Sequence, residues 1–377
     1  DIKMKLKKLL LTLIVLILLL PYQQINAESE SPDITAGAAL LMDSKTSKIL
    51  YSKNENEKMY PASTTKIMTA ILTIENCNLD DIVTVPYDAI ATIPSGYSIA
   101  ALQTGEQLTV NQLLQLMMVH SANDAANVLA FHVAGSLESF ATMMNTKVAE
   151  LGLEHTHFLN PSGMHNEDHY TTAYDLAKLM QYCMKNSTFR TIAGLKFCTV
   201  PATNKYGERI FTSTNELLTL VDNRNVASNY YYKYAIAGKT GYTTEAKNCL
   251  VSVSNKDGFE LISVILSVGL YPNNISGKFV ETKSLFNYGY DNYTLRKLRE
   301  KDAIATQVEV GNGTKETKNL DLLISDDITA TIKQSDFNTE FEPEIQINEN
   351  LHAPIVQGEV LGKITYNIDG ISYSADL

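Results

Sequence analysis

Apolar and β-branched residues form continuous runs near the beginning of the chain and again in its second half. Residues 36–42 and 48–51 are two such runs, and the polar segment 43–47 between them predicts a β-hairpin. Three further runs, the last two joined by a turn that ends in Gly258, lie at residues 234–239, 248–254 and 259–268. These runs predict strands on both sides of a long intervening region.

The intervening region has apolar residues at helical spacing. Leu176, Leu179 and Met180 fall on one face of a predicted helix, and Thr109 is a favourable N-cap for another. The predicted helices cover residues 64–74, 110–119, 124–133 and 172–184. Strands at both ends of a segment with helices between them predict an α+β domain with an antiparallel sheet and a helical subdomain.

The pattern changes near Tyr293, where helical spacing gives way to short β-type runs. These runs lie at residues 305–310, 328–332 and 361–366, and Gly311 to Gly313 forms a turn sequence after the first of them. We therefore predict a main α+β domain at residues 31–295 and a small all-β, sandwich-like domain at residues 303–377.

The first 27 residues have the pattern of a secretory signal peptide. Four lysines precede an apolar run at residues 9–20, and Ala27 provides a small residue at a cleavage site. The run has 12 residues, fewer than the roughly 20 that span a bilayer, so cleavage is favoured over an uncleaved anchor. We expect an exported protein, in the cell envelope or secreted.

Net charge and cysteine content bear on the function and on the disulfide content of the protein. The 377 residues carry a formal charge of −11, which becomes −14 without residues 1–27, and this argues against a nucleic-acid-binding protein. An exported chain with four cysteines could form two disulfides, but a core of this size does not need them. Free or buried thiols are therefore slightly favoured for Cys77, Cys183, Cys198 and Cys249.

Three short motifs carry candidate chemistry. Ser63 and Lys66 are three residues apart, so on a helix they share a face and the amine can reach the hydroxyl. A lysine acts as a base there only if burial or a second cation lowers its pKa. A serine at a helix N-terminus also meets the positive end of the helix dipole. The pattern alone is weak, because one such pair is expected by chance.

The second motif joins Ser121 and Asn123 between two predicted helices, where a loop can direct both side chains into a cleft. Its alternative is a helix cap at Ser121. The third motif, Lys239, Thr240 and Gly241, follows an apolar strand. Small residues on an edge strand let a peptide backbone approach, and Lys and Thr can bind a terminal carboxylate. Its alternative is a plain strand end with a turn glycine.

Taken together, the three motifs resemble the S-x-x-K, S-x-N and K-T-G set of the penicillin-recognising serine hydrolases. The flanking sequences are similar to those of the low-molecular-weight D-alanyl-D-alanine carboxypeptidases, from about residue 36 to residue 290. The segments that carry this resemblance are residues 61–70, 121–126, 160–164, 169–175 and 237–243. The resemblance implies a penicillin-binding-protein-like fold with a C-terminal β domain.

The resemblance also implies a role for each matching residue. Ser63 would attack the penultimate D-alanine carbonyl, and Lys66 would take its proton. Ser121, assisted by Lys239, would relay a proton to the leaving D-alanine. The substrate would be held by the amide of Asn123, by Thr240 and Gly241 on the strand, and by backbone N–H groups of Ser63 and Tyr242 in an oxyanion hole.

Further expectations follow from the same family. The partners would be peptidoglycan stem peptides that end in D-Ala-D-Ala, with β-lactams as covalent inhibitors. No cofactor, metal or nucleic acid is expected, and peripheral membrane association is left open. Relatives carry an arginine after the K-T-G hairpin, where the nearest match here is Lys278. Lysine is a point charge rather than a bidentate fork, and an exposed surface lysine is the alternative.

Three rival functions remain at this point. A class A β-lactamase uses a glutamate to activate water, but Thr156 stands three residues before Leu159, where that glutamate would be. A metal hydrolase could use the histidines at positions 155, 157, 165 and 169, although no H-E-x-x-H pattern occurs. A catalytically silent wall-binding or penicillin-sensing protein would share the fold.

Overall fold

Helices and strands occur in blocks along the chain. The computed structural model describes residues 30–220, 230–316 and 318–377, so the predicted signal peptide at residues 1–27 lies outside the described residues. The helices are α1 Lys66–Asn76, α2 Tyr87–Ile90, α3 Val110–Val119, α4 Asn123–Ala134, α5 Leu137–Glu150, α6 Ala173–Cys183, α7 Ser187–Ala193 and α8 Gly277–Asn292. Short 3-10 turns lie at Ala62–Thr65, Pro272–Asn274 and Gln334–Asp336.

The strands belong to one larger sheet and several small ones. They are β1 Ala38–Asp43, β2 Ile49–Lys53, β3 Ile82–Thr84, β4 Gln107–Thr109, β5 Phe197–Val200, β6 Arg209–Thr212, β7 Ala235–Thr243, β8 Lys247–Lys256, β9 Phe259–Val268, β10 Leu270–Tyr271, β11 Ile275–Ser276, β12 Tyr293–Arg299, β13 Ile304–Glu309, β14 Asn319–Leu323, β15 Ile328–Lys333, β16 Glu344–Ile347, β17 Gly362–Ile368 and β18 Ile371–Asp376.

The larger sheet is antiparallel, with strand order β2-β1-β9-β8-β7. The predicted hairpins β1–β2 and β8–β9 are confirmed, and strands from the two ends of the region pair directly, as Leu40 with Val264. Strand β7 pairs with β8 on one side only, so it forms an edge of this sheet within the described residues. The motif that begins at Lys239 lies inside β7 rather than at its end.

Both faces of the sheet are covered. Leu40 and Val264 point toward the helices of the 62–193 region, whereas Leu41 and Leu261 point toward α8. A sheet buried on both faces needs apolar residues at every position of its inner strands, because successive side chains alternate between the faces. All six residues of β1 are buried, which explains why the sequence shows continuous apolar runs there.

All four predicted helices are present. The first of them begins and ends two residues later than predicted. Helix α3 begins at the predicted residue, and Thr109 caps it in a capping box with Gln112. Residues 62–65 form a 3-10 turn instead of helix, so Ser63 lies on that turn and Lys66 is the first residue of α1. Helices α2, α5, α7 and α8 were not predicted. Helix α8 buries Glu281 and Thr282 beside its apolar residues, which obscures its helical pattern.

The C-terminal region is all β and has its own core. Strand β12 begins at Tyr293 and pairs with β15, so it belongs to this region, and β16, β17 and β18 form a second sheet. The β1–β2 hairpin contacts it. Thr331 donates to Asp43, and Lys48 Nζ donates to the Asp369 carboxylate at 2.9 Å. The core of the C-terminal region includes Ile328, Ala330, Ile332, Ile364 and Tyr366.

Two further expectations concern cysteines and membrane spans. All four cysteines are free, and three of them are buried, so the preference for free thiols over two disulfides is confirmed. Among the residues that the structure describes, none of the helices has both the length and the apolar character needed to cross a bilayer.

A buried histidine connects α1 to the loop between α5 and α6. The Nδ1 atom of His169 accepts a hydrogen bond from Leu159 N at 3.0 Å, so Nε2 carries the ring proton and donates it to Thr65 Oγ1 at 2.8 Å. Burial lowers the pKa of His169 to about 3. The folded protein therefore holds this ring neutral, and the ring fixes the loop against the turn that carries Ser63.

This arrangement predicts a pH-dependent stability. The unfolded chain binds a proton at His169 below about pH 6.5, while the folded chain does not until about pH 3. The contribution is fully present above about pH 6.5 and decreases as the pH falls toward 3, by up to about 1.4 kcal/mol for each pH unit. Denaturant unfolding of His169→Gln should show a flatter pH dependence than wild type. If His169→Gln and wild type lose stability equally steeply as the pH falls, the neutral state assigned to His169 is contradicted. The control is His132→Gln, since His132 is exposed.

Candidate active site

Ser63 and Lys66 are in direct contact. Lys66 is completely buried, and its Nζ lies 2.8 Å from Ser63 Oγ, 2.6 Å from Asn123 Oδ1 and 2.7 Å from the carbonyl oxygen of Ser162. Ser63 is partly exposed. A single amine therefore connects the first two sequence motifs to the loop that follows α5.

The turn that carries Ser63 is held by close backbone contacts. Ala62 has a positive φ of 48°. A Cβ on Gly163 would lie 1.8 Å from the Ala62 carbonyl oxygen, and one on Gly241 would lie 3.0 Å from Ser63 N. Only glycine permits the approach at position 163, and at position 241 a Cβ would require the turn to shift by a few tenths of an ångström.

Ser121 does not act as a helix cap. Ala122 is the N-cap of α4 and makes no side-chain capping bond, so the capping alternative is wrong. Ser121 instead has φ of 63°, in the left-handed region, and its Oγ accepts a hydrogen bond from Lys239 Nζ at 3.0 Å. A non-glycine residue in this region marks local strain, which is common at functional sites.

Strand β7 presents its motif to the same place. Lys239 is buried and its Nζ also donates to the carbonyl oxygen of Thr240 at 2.9 Å. The hydroxyls of Thr240 and Thr214 are 2.6 Å apart. Tyr242, by contrast, is 63% exposed, at the outer part of the strand.

The buried lysines have strongly perturbed acidities. Burial, reinforced by the charge of Lys239, holds the pKa of Lys66 well below its ordinary value, although Asp124 acts in the opposite direction. Burial and the nearby charge of Lys278 lower the pKa of Lys239 to about 7. Three lysine side chains are therefore placed close together, and burial favours the neutral form of each of them.

Lys278 is half-buried and lines the same cavity. Its Nζ donates to Asn248 Oδ1 at 3.2 Å, and burial lowers its pKa. The alternative of an exposed surface lysine is therefore wrong.

These groups surround an open cavity of about 570 Å³. All nine sequence-predicted site residues lie in its wall or directly beneath it, with Lys66 and Lys239 below the surface. The remaining lining residues were not predicted as site residues: residues 95–98, His120, residues 162–164, Thr214 and residues 243–245. Residues 162–164 and Thr243 were part of the family-like sequence, and the others had no recognisable local signal.

One carboxylate organises the loop over this cavity. Asp124 accepts hydrogen bonds from Ala100 N at 2.9 Å and from Leu102 N at 3.0 Å. Asn123 N donates to the carbonyl oxygen of Ser98 at 2.9 Å. The loop is thereby fixed to the start of α4. Asp124 stands in the family-like segment, but sequence reasoning gave it no role.

The residues on which the β-lactamase and metal-hydrolase alternatives depend make other contacts in the structure. Thr156 is buried and donates to Asp175 Oδ2 at 2.7 Å. The ring nitrogens of His169 are both hydrogen-bonded, and His157 Nδ1 contacts the Asp168 carbonyl oxygen at 2.7 Å. Among the described ranges, no group of three or more His, Cys, Asp and Glu side chains is arranged to hold a metal ion.

Comparisons with known proteins agree with this geometry. Residues 25–269 match the D-alanyl-D-alanine carboxypeptidase family, and residues 293–373 match the C-terminal domain of penicillin-binding protein 5. A D-alanyl-D-alanine carboxypeptidase of Bacillus subtilis, DacF, is 29% identical over 97% of this chain and 91% of its own length. The carboxypeptidase of Streptomyces sp. strain K15 is 35% identical over 69% of this chain and 88% of its own.

A solved structure shares the whole fold. Penicillin-binding protein 5 of Haemophilus influenzae is similar with a TM-score of 0.73 and 28% identity, over 92% of this chain and 98% of that one. The predicted α+β fold with a penicillin-binding-protein-like domain and a small β domain is confirmed. The chain belongs to the serine-type D-alanyl-D-alanine carboxypeptidase family of penicillin-binding proteins.

Proposed function

We propose that this protein hydrolyses the terminal D-alanine from peptidoglycan stem peptides through an acyl-enzyme on Ser63. The contact between Lys66 Nζ and Ser63 Oγ, at 2.8 Å, is the observation that carries the proposal. A serine hydroxyl is a weak nucleophile, and a neutral amine within hydrogen-bond distance can activate it.

Lys66 is the proposed base because its environment favours the neutral form. Burial and the positive charge of Lys239 lower its pKa. A neutral amine has two N–H donors and one lone pair. If those donors bind Asn123 Oδ1 and the Ser162 carbonyl oxygen, the lone pair is directed at Ser63 Oγ and can take its proton.

The leaving D-alanine needs a proton on its amine nitrogen. Ser121 is the proposed relay, since its Oγ contacts Lys239 Nζ at 3.0 Å. The proton taken by Lys66 can be delivered to the amine through Ser121, which regains a proton from the lysines behind it. A pKa near 7 lets Lys239 donate or accept at neutral pH.

Substrate binding uses the free edge of the sheet. A peptide can add to β7 as a further antiparallel strand. The backbone N–H groups of Ser63 and Tyr242 would hold the oxyanion, and the amide of Asn123 would bind the substrate amide. Thr240 and Lys278 would bind the terminal carboxylate, with Gly241 letting β7 approach the turn that carries Ser63.

Water completes the cycle by hydrolysing the ester on Ser63, which releases the shortened peptide. A β-lactam would acylate Ser63 in the same way. Glu245 is the only carboxylate-bearing residue among the described residues that line the cavity, and it lies at the outer turn after β7. The described part of the cavity wall thus has no carboxylate beside Ser63 to speed hydrolysis, and this favours a persistent penicillin adduct over β-lactamase turnover.

We further propose that the protein acts outside the cytoplasmic membrane on the cell wall. The pattern of residues 1–27 supports export, and the family supports a role in cell-wall biogenesis and cell shape. Peripheral membrane association is part of the same proposal.

Replacement of the nucleophile tests the proposal. Ser63→Ala should abolish covalent labelling by benzylpenicillin and release of D-alanine from an acylated Lys-D-Ala-D-Ala peptide, while thermal unfolding changes little because Ser63 is partly exposed. Intact-protein mass spectrometry measures the adduct. Ser52→Ala, at an exposed serine of another Ser-x-Asn sequence, is the control. A labelled Ser63→Ala protein would exclude Ser63 as the nucleophile.

The pH dependence of acylation tests Lys66. The rate of penicillin acylation should rise with pH and level off above the pKa of Lys66, with a midpoint well below the ordinary lysine value of about 10.4. Lys239→Gln removes a positive charge that lowers this pKa, so the midpoint should move to higher pH. A midpoint in the ordinary lysine range in wild type would contradict the role of Lys66 as the base.

The carboxylate subsite is tested at Lys278. Lys278→Gln should raise KM for a D-Ala-D-Ala peptide about 5–10-fold, the loss expected for one hydrogen bond to a charged group in a partly exposed site. Lys278→Arg retains the charge and should restore most of the affinity. An unchanged KM in Lys278→Gln would remove Lys278 from the substrate site.

A further inference from the structure

A buried ion pair lies next to the loop over the active-site cavity. Arg209 of β6 and Glu106, just before β4, are almost completely buried, and they share two hydrogen bonds, Nη1 to Oε1 at 2.7 Å and Nη2 to Oε2 at 3.0 Å. The desolvation cost of two buried charges can exceed their mutual attraction, so such a pair is weak evidence for added stability. Neither residue lines the cavity, and the proposed mechanism gives neither of them a role.

Arg209 also holds the backbone of the cavity loop, residues 95–102, whose first four residues line the cavity. Its Nε donates to the Ala100 carbonyl oxygen at 2.7 Å, and its Nη2 donates to the Ala101 carbonyl oxygen at 3.2 Å. Ala101 has a φ of 56°, in the left-handed region that a non-glycine residue adopts at a cost in free energy. Glu106 therefore orients the guanidinium group, and the guanidinium group holds the strained part of the loop.

Asp124 binds the same part of the cavity loop through its N–H groups. The carboxylate accepts hydrogen bonds from Ala100 N at 2.9 Å and from Leu102 N at 3.0 Å. Both backbone polar groups of Ala100 are thus bound by buried charged side chains, the N–H by Asp124 and the carbonyl by Arg209. Hydrogen bonds to charged groups are roughly twice as strong as those between neutral groups. The loop at Ala100 is therefore fixed between β6 and the start of α4.

The same contacts extend to the proposed base. Asp124 follows Asn123 at the start of α4, and Asn123 Oδ1 accepts a hydrogen bond from Lys66 Nζ at 2.6 Å. Asn123 N donates to the carbonyl oxygen of Ser98 at 2.9 Å, so the cavity loop is bound to both residues. A continuous series of contacts therefore joins Arg209, through the cavity loop and the start of α4, to the amine that activates the nucleophile.

We propose that Arg209 is a positioning residue for acylation, which acts through the backbone of the cavity loop to fix Asn123 and, through Asn123, the amine of Lys66. This inference rests on the proposed function and deepens it, because the geometry of the reacting groups then depends on a residue outside the cavity. Small displacements matter in such a site, since a shift of about 1 Å can cost about 100-fold in rate.

The test removes the ion pair without leaving a charge unpaired. Glu106→Gln keeps an acceptor for Gln103 N and Thr203 Oγ1, which donate to Glu106 at 2.9 Å and 2.7 Å, and Arg209→Met removes the guanidinium group. Arg209→Met/Glu106→Gln should stay folded, because replacing both partners of a buried pair is often neutral. Its acylation by benzylpenicillin should nevertheless slow about 10–100-fold. Time-resolved intact-protein mass spectrometry measures the rate, and thermal unfolding establishes the fold.

The Asn123→Ala background separates positioning from general destabilisation. If Arg209 acts through Asn123, Arg209→Met/Glu106→Gln should slow acylation by less than about twofold once the Asn123 amide is gone. A merely structural role would give the same fold-change in both backgrounds. Arg190→Met is the matched control, since Arg190 pairs with Glu260, neither residue lines the cavity, and the rate should not change.

Arg209→Lys extends the test to the case in which the double variant does not fold. It keeps a positive charge beside Glu106 but lacks the rigid fork that reaches this carboxylate and two carbonyl groups together. Arg209→Lys should therefore also slow acylation in the wild-type background and have little further effect in Asn123→Ala.

The outcomes distinguish the positioning role from the proposed function. Acylation at the wild-type rate in a folded Arg209 variant, or an equal fold-loss with and without the Asn123 amide, would overturn the positioning role and leave the carboxypeptidase proposal standing. If folded wild type is not acylated and releases no D-alanine, the proposed function fails, and the positioning role with it.

Discussion

The burial of Lys66 against Ser63 is the interaction on which the rest of the site depends. A charged amine without a contacting carboxylate is costly inside a protein, and the charge of Lys239 increases that cost. The fold supplies acceptors from two distant segments, Asn123 and Ser162, which orient the amine without neutralising it. The same burial that would destabilise an ammonium ion therefore favours the neutral amine, which is the form that the proposed base requires.

Three neighbouring lysines would let one cleft serve both binding and catalysis in the proposed mechanism. In the proposed mechanism Lys278 and Lys239 attract the terminal carboxylate. The charge of Lys278 lowers the pKa of Lys239, and the charge of Lys239 lowers the pKa of Lys66. The sheet makes this possible because its edge strand β7 carries Lys239 and leaves its outer side free for a peptide. The site thus requires the helical region and the sheet to meet at Ser63, where glycines 163 and 241 permit the close packing.

Much of this arrangement could be predicted from local sequence, and the remainder required tertiary structure. The hairpins depend on residues close in sequence, so the pattern of apolar runs identified them. The Ser63–Lys66 spacing was a weak signal by itself, and the resemblance of the three motifs to a known family assigned the pair to the site. Helix α8 was not predicted because polar residues buried on it, such as Glu281, obscure the helical spacing of its apolar residues. Asp124, Thr214 and Glu245 could not be placed in the site, since their positions depend on contacts with distant segments rather than on neighbouring residues.

The most direct test of this account is to measure the protonation of Lys66 itself. Protein labelled with [ε-¹³C]lysine can be titrated from pH 5 to 11 by NMR, with Lys66→Arg and Lys239→Arg used to assign the perturbed signals. The account predicts a lysine signal, absent in Lys66→Arg, that titrates well below the ordinary value of about 10.4. If the signal lost in Lys66→Arg titrates in the ordinary range, Lys66 is charged at neutral pH and cannot activate Ser63 as described.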